Sequence, residues 1–290
     1  MSIVNLPQPI KDLGKATLSK VADKFIDFVI TKYTGKSIKV FEAEGDIEAD
    51  KIKTSWEVLE KPFWLQAEAT KMNRQYSNLG NTLMKSTSLI ITAENKIKDD
   101  NDVFWVFLEH SKEISNEQMQ GLIAKIIAGE YNTPSAYSMS TLQIIKMLGK
   151  NELELFENIC SLLLNNEWIP IELFVLGDNV KELMNKINID FESLQTLQSL
   201  GLFLSNEMTK SIENLEKKDY IIQYYDKQLV FNSENNNFKK IILPESYVLS
   251  TVGKQILKHL NPKYIEDYFT WLKLNYKVPN YKLLNNTSKI

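Results

Sequence analysis

Apolar side chains recur at helical spacing through most of the first two thirds of the chain. Near the N-terminus they fall three or four positions apart, which places them on one face of an α-helix. The opposite face mixes Asp23, Lys24 and Asp27, and it lacks the basic bias of a helix that lies on a membrane. We therefore expect this helix to pack into a helical body and not against a membrane. Its apolar positions are Leu18, Val21, Ala22, Phe25, Phe28 and Val29.

A second apolar pattern alternates in steps of four and three, which is the spacing of a heptad seam. It predicts one long helix, which we call the stem. The seam can pair with a neighbouring helix or with a second copy of the chain. Ala69 and Ser86 weaken a free-standing coiled coil, so packing within the chain is the favoured interpretation. The seam positions are Leu65, Ala69, Met72, Tyr76, Leu79, Leu83, Ser86 and Ile90.

The middle of the chain carries a clear helix-start signal. Ser115 is placed as an N-cap with Gln118 three positions later, which is the spacing of a capping box. Ile114 and Met119 are placed around it as a hydrophobic staple. The apolar stripe that follows predicts a buried helix at Met119, Leu122, Ile123, Ile126 and Ile127.

The end of that helix raises the question of a site. Glu130 lies where a carboxylate faces the unfavourable negative end of the helix macrodipole, so we expect it to have a specific partner. Pro134 marks a turn, and Ser138 to Thr141 open the next helix. We expect Glu130 to cap the backbone N–H groups of Ser138 to Thr141 or to pair with Lys125 or another lysine. A carboxylic acid in an open cleft is the alternative.

The last third includes runs with strand character. Residues 220–225 and 228–232 are β-rich and flank Asp226-Lys227, which predicts a hairpin. Residues 238–243 are a candidate third strand. Ser250 or Thr251 is placed as the cap of a helix, and Asn261-Pro262 is expected to open a final helix that runs to about residue 276.

These patterns predict a mainly α fold. It comprises a multi-helical body with a long heptad-patterned helix and a small C-terminal α+β module that is winged-helix-like. Three regions are expected: a helical N-terminal stem region at 1–98, a central helical unit at 99–176 and the winged-helix-like module at 177–290.

Composition narrows the class of protein. The chain has 290 residues, 43% hydrophobic and 24% charged, with a net charge of −3. These values are ordinary for a globular protein, and they provide no global basic field for nucleic acid. Cys160 is the only cysteine, so a disulfide within the chain is impossible. With no signal peptide and no apolar run long enough to span a membrane, the sequence favours a cytoplasmic location.

Candidate chemistry is sparse. His110-x-x-Glu113 resembles half of a metal site, but the other histidine, His259, is far along the chain. Cys160 falls on an apolar helix face without a visible base, which favours core packing over nucleophilic catalysis. The phosphate-binding and nucleophile-elbow motifs are missing from the sequence. We predict no catalytic residue, no metal and no cofactor.

The C-terminal module has one possible basic surface. Lys217, Lys218, Lys239 and Lys240 are candidate nucleic-acid contacts on a wing or strand. The helix at 191–198 has no positive charge, unlike a typical recognition helix. Packing against protein is therefore favoured over contact with DNA.

The stretch ISNEQMQGLIAKIIAGEYNTPSAYSMSTL resembles the signature of a bacterial family known as domain of unknown function 2806. The runs EAEGDIEADKIK from Glu42, NRQYSNLGN from Asn73 and LSTVGKQIL from Leu249 also resemble it. The resemblance covers roughly residues 10 to 275 and implies a helical architecture. The residues that match the middle signature are Ser115, Glu117, Met119, Gln120, Ala124, Lys125, Gly129, Glu130, Pro134, Ser138, Thr141 and Leu142.

Two positions depart from that signature. The family's Pro-Gly-Ser turn is Pro134-Ser135-Ala136 here, and a residue that is often basic after the helix-starting serine is Ser140. Similar helical proteins are associated with abortive-infection phage defence. We therefore expect a non-enzymatic cytoplasmic protein that acts through a protein partner or self-association, in phage defence or a stress response. The alternative is a nucleic-acid-binding regulator that acts through the C-terminal module.

Overall fold

In the part of the chain that the structure describes, the first half is helical and short strands enter in the second half. The computed structural model describes residues 19–34, 63–91, 101–175, 177–206, 208–213, 215, 219–233 and 240–284. The chain forms two compact units, residues 1–142 and 143–290. The three regions predicted from the sequence divide the chain elsewhere and stay a prediction. Within the described ranges, no helix has both the length and the apolar content that a membrane crossing requires.

The first unit is a helical assembly centred on the stem. The described helices are α1 (Lys20–Thr34), α2 (Phe63–Thr87), α3 (Asp102–Ser111) and α4 (Glu117–Asn132). The division between the units falls inside α5 (Met139–Met147). The stem, α2, packs against both α3 and α4, and α3 packs against α4.

The predicted apolar stripe of α1 is confirmed at its buried positions; Val21 and Phe28 are partly buried, and Leu18 lies outside the described residues. Ala22, Phe25 and Val29 are buried, and Phe25 meets Tyr131 of α4 edge to face at 4.8 Å between ring centroids. Phe28 extends this aromatic cluster to α3, where the Trp105 ring lies 5.7 Å away. The helical period therefore identified the packed face correctly, because apolar side chains at this spacing are removed from water together.

The second half of the stem seam lies inside the first unit. Leu79, Leu83, Ser86 and Ile90 are all buried. The Ser86 hydroxyl donates to the carbonyl of Thr82 at 2.9 Å, so this polar group is satisfied within its own helix. The side chains of Leu65 and Ala69, at the start of the seam, lie outside the described residues.

The second unit combines helices with small antiparallel sheets. Strand β1 pairs with β6, β2 pairs with β5, and β4 lies between β3 and β7. Its strands are β1 (Trp168–Pro170), β2 (Ser211–Glu213), β3 (Asp219–Tyr224), β4 (Lys227–Ser233), β5 (Lys240–Ile242), β6 (Ser246–Val248) and β7 (Tyr281–Leu283). Its helices after α5 are α6 (Lys150–Cys160), α7 (Glu172–Val175), α8 (Gly177–Lys186), α9 (Phe191–Ser199), α10 (Thr251–Leu257) and α11 (Glu266–Asn275).

The predicted hairpin is confirmed, and the candidate third strand exists but does not join the hairpin. Strands β3 and β4 pair in register around a turn at Tyr225, whose φ is +53°. The strand predicted at residues 238–243 exists as β5, yet it pairs with β2. The hairpin instead adds β7, which pairs with β4. Strand partners that are distant in sequence decide this arrangement, and local alternation does not encode them.

The last helix begins later than predicted. Residues 261–265 are not helical, and α11 starts at Glu266. The backbone N–H of Lys263 donates to the Ser161 hydroxyl at 2.9 Å, and that of Ile265 donates to the Tyr224 hydroxyl at 3.1 Å. These side chains satisfy the backbone of the segment without a helical turn.

The helix start predicted at Ser250 is confirmed. Its hydroxyl accepts from the backbone N–H of Gly253 at 3.0 Å and donates to the carbonyl of Gly201 at 2.6 Å. The chain approaches so closely here that a Cβ at Gly253 would overlap the carbonyl oxygen of Leu202. The LSTVG run therefore fixes α10 against the end of the segment after α9. The winged-helix topology itself stays a prediction.

We expect Gly253→Ala to lower the free energy of unfolding by about 3 kcal/mol, because backbone must move to admit the methyl group. Gly121→Ala is the matched control, since a Cβ there meets nothing within 4 Å. In mid-helix it should raise stability by roughly 0.5–1 kcal/mol. Denaturant unfolding of both variants measures the difference, and two changes of the same sign would contradict the close approach at Gly253.

Candidate functional site

The carboxylate of Glu130 is the centre of the first unit's polar network. The side chain is fully buried at the C-terminal end of α4. Its Oε1 accepts from the backbone N–H of Ser135 at 2.5 Å and from Nδ2 of Asn101 at 2.9 Å. Its Oε2 accepts from the backbone N–H of Tyr137 at 3.2 Å. We call this arrangement the Glu130 clasp.

The clasp answers the question that the sequence left open. The carboxylate of Glu130 points at backbone amides and not into an open cleft. Its hydrogen bonds therefore give it a structural capping role. Of the two predicted kinds of partner, backbone amides are the ones seen, but the predicted amides of Ser138 to Thr141 were wrong: the backbone donors are Ser135 and Tyr137, in the turn before that helix. Three N–H donors offset the unfavourable end of the helix dipole, since charge-assisted hydrogen bonds are the strong ones.

Asn101 extends the clasp to a second helix. Its Oδ1 accepts from the backbone N–H of Phe104 at 3.1 Å and so caps the N-terminus of α3. Its Nδ2 is the group that donates to Glu130. One amide side chain therefore connects the start of α3 with the end of α4. The sequence carried a signal for the cap, because asparagine three positions before Phe104 suits an N-cap, but none for the bond to Glu130.

The turn between α4 and α5 has an unusual backbone. Ser135 has a φ of +67°, a conformation that favours glycine. Serine occupies this position, so the turn carries a side chain in a conformation that only glycine adopts without strain. Pro134 precedes it, and the N–H of Ala136 closes the turn by donating to the carbonyl of Thr133 at 3.2 Å. The positive φ directs the Ser135 amide toward the carboxylate of Glu130.

A tyrosine covers the outside of the clasp. A Cβ at Gly129 would lie 2.6 Å from the Tyr137 hydroxyl, so the ring fits over α4 only because residue 129 has no side chain. Burial raises the pKa of Tyr137 to about 12, and the nearby carboxylate of Glu130 adds to the shift. The hydroxyl therefore stays protonated at physiological pH, and it supplies no base.

Asn132, the last residue of α4, forms hydrogen bonds with the backbone that follows the stem. The side-chain oxygen of Asn132 accepts from the backbone N–H of Ile91 at 3.0 Å, and its Nδ2 donates to the carbonyl of Leu89 at 2.9 Å. Both groups lie just past the C-terminus of the stem. Nothing in the sequence pattern identified Asn132, because its partners are more than 40 positions away.

The next helix is capped by its own first residues. The Ser138 hydroxyl oxygen accepts from the backbone N–H of Thr141 at 3.2 Å, and the two hydroxyl groups lie 3.0 Å apart. The helix start predicted at Ser138 is therefore in place. Ser138 caps this helix, whereas Glu130 accepts hydrogen bonds from the turn that precedes the helix.

The capping box predicted at Ser115 and Gln118 was wrong. The N-cap of α4 is Asn116, whose side-chain oxygen accepts from the backbone N–H of Met119 at 3.0 Å. Ser115 instead receives a hydrogen bond from Nδ2 of Asn78 on the stem, at 3.2 Å, and Gln118 is exposed. Asparagine and serine cap helices about equally well, so the bond with the stem decides which of the two neighbours takes the cap.

A groove lies beside this helix start. It has a volume of about 410 Å³ and is lined by Asn81, Met84, Lys85, Ser115, Glu117 and Gln120. Lys85 and Glu117 form an ion pair across it at 3.0 Å, with Glu117 largely exposed. Gln120 is buried and donates to the carbonyl of Ile114 at 2.9 Å. The groove thus offers both charges and uncharged hydrogen-bonding groups, which suits a polar peptide segment or side chain.

The other candidate chemistry does not gather into a reactive site. Glu113 contacts Arg74 at 3.8 Å and accepts from Gln75 at 2.5 Å, both on the stem. In the described part of the chain, no three His, Cys, Asp or Glu side chains meet as a metal site would require. Cys160 is buried, and burial, with a smaller effect of Glu157, raises the pKa of its thiol well above the usual range. That thiol is a packing group, as the sequence indicated.

Most of the predicted nucleic-acid contacts lie outside the residues that the structure describes. Lys217, Lys218 and Lys239 lie outside the described residues. Lys240 is on β5 and pairs with Glu213 of β2 at 3.0 Å, directly across the ladder. The positive charge of Lys240 is therefore partly balanced by a carboxylate beside it.

We expect Glu130→Gln to lower the free energy of unfolding by about 2–3 kcal/mol. The amide keeps one acceptor, but its NH2 group then faces N–H donors and leaves buried groups unsatisfied. Glu117→Gln removes an exposed carboxylate of the same helix and should change stability by less than about 0.5 kcal/mol. Urea unfolding compares them, and equal losses would show that Glu130 is not a clasp.

Substitution at Ser135 tests the turn. Ser135→Gly should raise the free energy of unfolding by about 0.5 kcal/mol, because relief of the positive φ slightly exceeds the added entropy of the unfolded chain. Ser135→Val should lower it by at least about 1 kcal/mol, since a β-branched residue is strained at this φ. Thermal unfolding distinguishes them; a stable valine variant would mean that the turn relaxes.

A comparison with known protein families identifies the family of the chain. The model of a family described as a protein of unknown function, DUF2806, matches residues 66–273. This range contains the stem from its fourth residue, the Glu130 clasp and the LSTVG helix start. No curated protein and no solved structure is significantly similar to the chain. Because the matched range covers more than half of the sequence, the chain belongs to the DUF2806 family.

Proposed function

We propose that the protein is a non-enzymatic interaction protein that acts by assembly in the cytoplasm. The observation that carries this proposal is the unequal use of the stem seam. Leu79, Leu83 and Ile90 are buried within the first unit, whereas Met72 and Tyr76, earlier on the same seam, are partly exposed. Among the described residues, a seam whose upstream positions are partly exposed offers a surface for a second helix.

The length of the stem supports a division of its seam into a buried downstream part and a partly exposed upstream part. Helix α2 has 25 residues and α4 has 16, which correspond to about 37 Å and about 24 Å. Contacts of the stem with the α3–α4 connection include Arg74 and Gln75, which reach Glu113. Upstream of Arg74 the stem continues for about three turns. Ala67, Lys71 and Asn73 are exposed there.

We propose a second copy of the chain as the partner of this upstream part. The heptad positions Leu65, Ala69 and Met72 repeat the spacing of the buried positions, so two stems can pair through the same seam. Such a contact is self-complementary, as a two-fold dimer interface requires. The groove at Lys85 and Glu117 is a separate surface on which a polar segment of another protein can dock.

The process we propose is phage defence or a related stress response. Its support is the likeness to helical abortive-infection proteins drawn from the sequence. The neighbouring genes test it: a restriction or toxin cassette beside this gene supports defence, and a metabolic operon contradicts it. The alternative function, nucleic-acid regulation through the C-terminal lysines, has less support because Lys240 is already paired with Glu213.

Assembly predicts a mass above that of the monomer. In light scattering, we expect the full chain to be dimeric at tens of micromolar and Met72→Lys to be monomeric, because a charge in the seam must be desolvated on pairing. Asn73→Lys is the matched control, since its position is exposed and off the seam. Both variants should keep the helical circular dichroism of the parent.

Two results would contradict the proposal. A monomeric parent at high concentration removes self-assembly, and equal dissociation by both lysine variants removes the seam as the contact. Salt-dependent DNA binding that weakens in the Lys239→Gln/Lys240→Gln double variant would favour the alternative function.

A further inference from the structure

The sheet formed by β3, β4 and β7 carries three apolar side chains in a row on its outer face. Ile221 of β3 lies opposite Val230 of β4. The backbone N–H of Leu284 donates to the carbonyl of Val230 at 2.8 Å, which continues the row just past the end of β7. The alternate residues Ile222 and Leu229 are buried, whereas Ile221 is 47% and Leu284 is 42% exposed. We call the side chains of Ile221, Val230 and Leu284 the outer stripe.

Polar side chains border the outer stripe on both sides. On one side, the carboxylate of Asp219 accepts from Nδ2 of Asn232, which lies opposite Lys282 of β7. On the other side, Nε2 of Gln228 donates to the side-chain oxygen of Gln223 at 3.1 Å. Exposed apolar side chains with a polar rim are typical of surfaces that bind another protein.

The edge of β3 beside the outer stripe is paired at one position. The N–H of Asn165 donates to the carbonyl of Gln223 at 2.8 Å, and Oδ1 of Asn165 accepts from the N–H of Gln223 at 2.6 Å. Residues two apart on a strand direct their backbone groups to the same edge, so those of Ile221 and Asp219 point there too. Within the ranges that the structure describes, these groups have no hydrogen-bond partner.

We propose that the edge of β3 at Asp219 and Ile221 binds an extended segment of a partner protein as an added antiparallel strand. Unpaired N–H and C=O groups at a strand edge are a template for another extended backbone. An antiparallel strand exchanges two hydrogen bonds with each of the two open positions. Asn165 ends the added strand, because it already occupies the edge at Gln223.

The side chains of the sheet determine the chemistry of this partner. The residue opposite Ile221 lengthens the outer stripe, so an apolar and preferably β-branched side chain fits there. The residue opposite Asp219 lies two positions further along the added strand, beside an exposed carboxylate, which favours lysine or arginine. Lys282 is two strands from Asp219, a separation of about 10 Å, so it does not neutralise this carboxylate. The segment therefore has an apolar-x-basic pattern.

A second copy of β3 fits this edge poorly. Two-fold symmetry requires antiparallel pairing, and the two open positions then pair crosswise. Asp219 of one copy lies opposite Ile221 of the other on the outer face. Each carboxylate then meets an apolar side chain and no positive charge, which favours a partner of different sequence.

An NMR titration of the full, isotopically labelled chain with the acetylated and amidated peptide Thr-Thr-Val-Thr-Lys-Thr tests this proposal. We expect saturable shifts of the backbone amide signals of Asp219 and Ile221. Ile221→Lys should weaken binding at least about tenfold, because it interrupts the outer stripe and repels the lysine of the peptide. Ile242→Lys is the matched control, since Ile242 is 46% exposed on β5, in a separate sheet, and should bind like the parent. Both variants should keep the circular dichroism of the parent.

A peptide with an N-methylated valine separates strand addition from side-chain contact, because it keeps every side chain but loses a backbone donor. Undiminished binding of that peptide, or no saturable shift with the parent peptide at millimolar concentration, would overturn the proposal. Equal weakening by both lysine variants would exclude the outer stripe as the site. A dimer of the parent that Ile221→Lys dissociates in light scattering would identify a second copy as the occupant and would also overturn it. Met72→Lys, in the first unit, should leave peptide binding unchanged, so this test is separate from that of assembly through the stem.

Discussion

The buried carboxylate of Glu130 is the constraint on which the first unit depends. A charge inside a protein is tolerated only when hydrogen-bond donors surround it, and here those donors come from two separate places in the chain. Asn101 contributes from the start of α3, and Ser135 and Tyr137 contribute from the turn after α4. The carboxylate can be satisfied only when these segments are assembled. It therefore couples the packing of the helices to the conformation of one short turn.

This coupling explains residues that would otherwise look unrelated. Gly129 is small because the Tyr137 ring must lie over α4 while the Tyr137 amide reaches the carboxylate. Ser135 adopts a positive φ, and in this backbone conformation its N–H reaches the carboxylate of Glu130. The signature GEYNTPSAYS is thus largely a description of how one corner folds. Its appearance as a reactive loop came from polar residues whose partners are backbone groups.

The sequence correctly predicted the elements that short-range periodicity determines. The stripe through Phe25, the buried part of the stem and the β3–β4 hairpin all follow from spacing and turn residues. It failed where a distant partner decides between local alternatives. Asn116 rather than Ser115 caps α4 because Asn78 engages the serine. Residues 261–265 are non-helical, and Ser161 and Tyr224 accept hydrogen bonds from two of their amides. The pairing of β5 with β2 and of β7 with β4 is of the same kind.

The polar network of the family signature bears on function. The Glu130 carboxylate accepts hydrogen bonds from Ser135, Tyr137 and Asn101, so its described contacts within that signature are structural. Residues that do not stabilise the fold can be selected for binding. On the described surface, such residues follow a regular seam in the upstream part of the stem, around Met72. The assembly function that we propose would therefore place the binding specificity of this protein outside the motif by which its family is recognised.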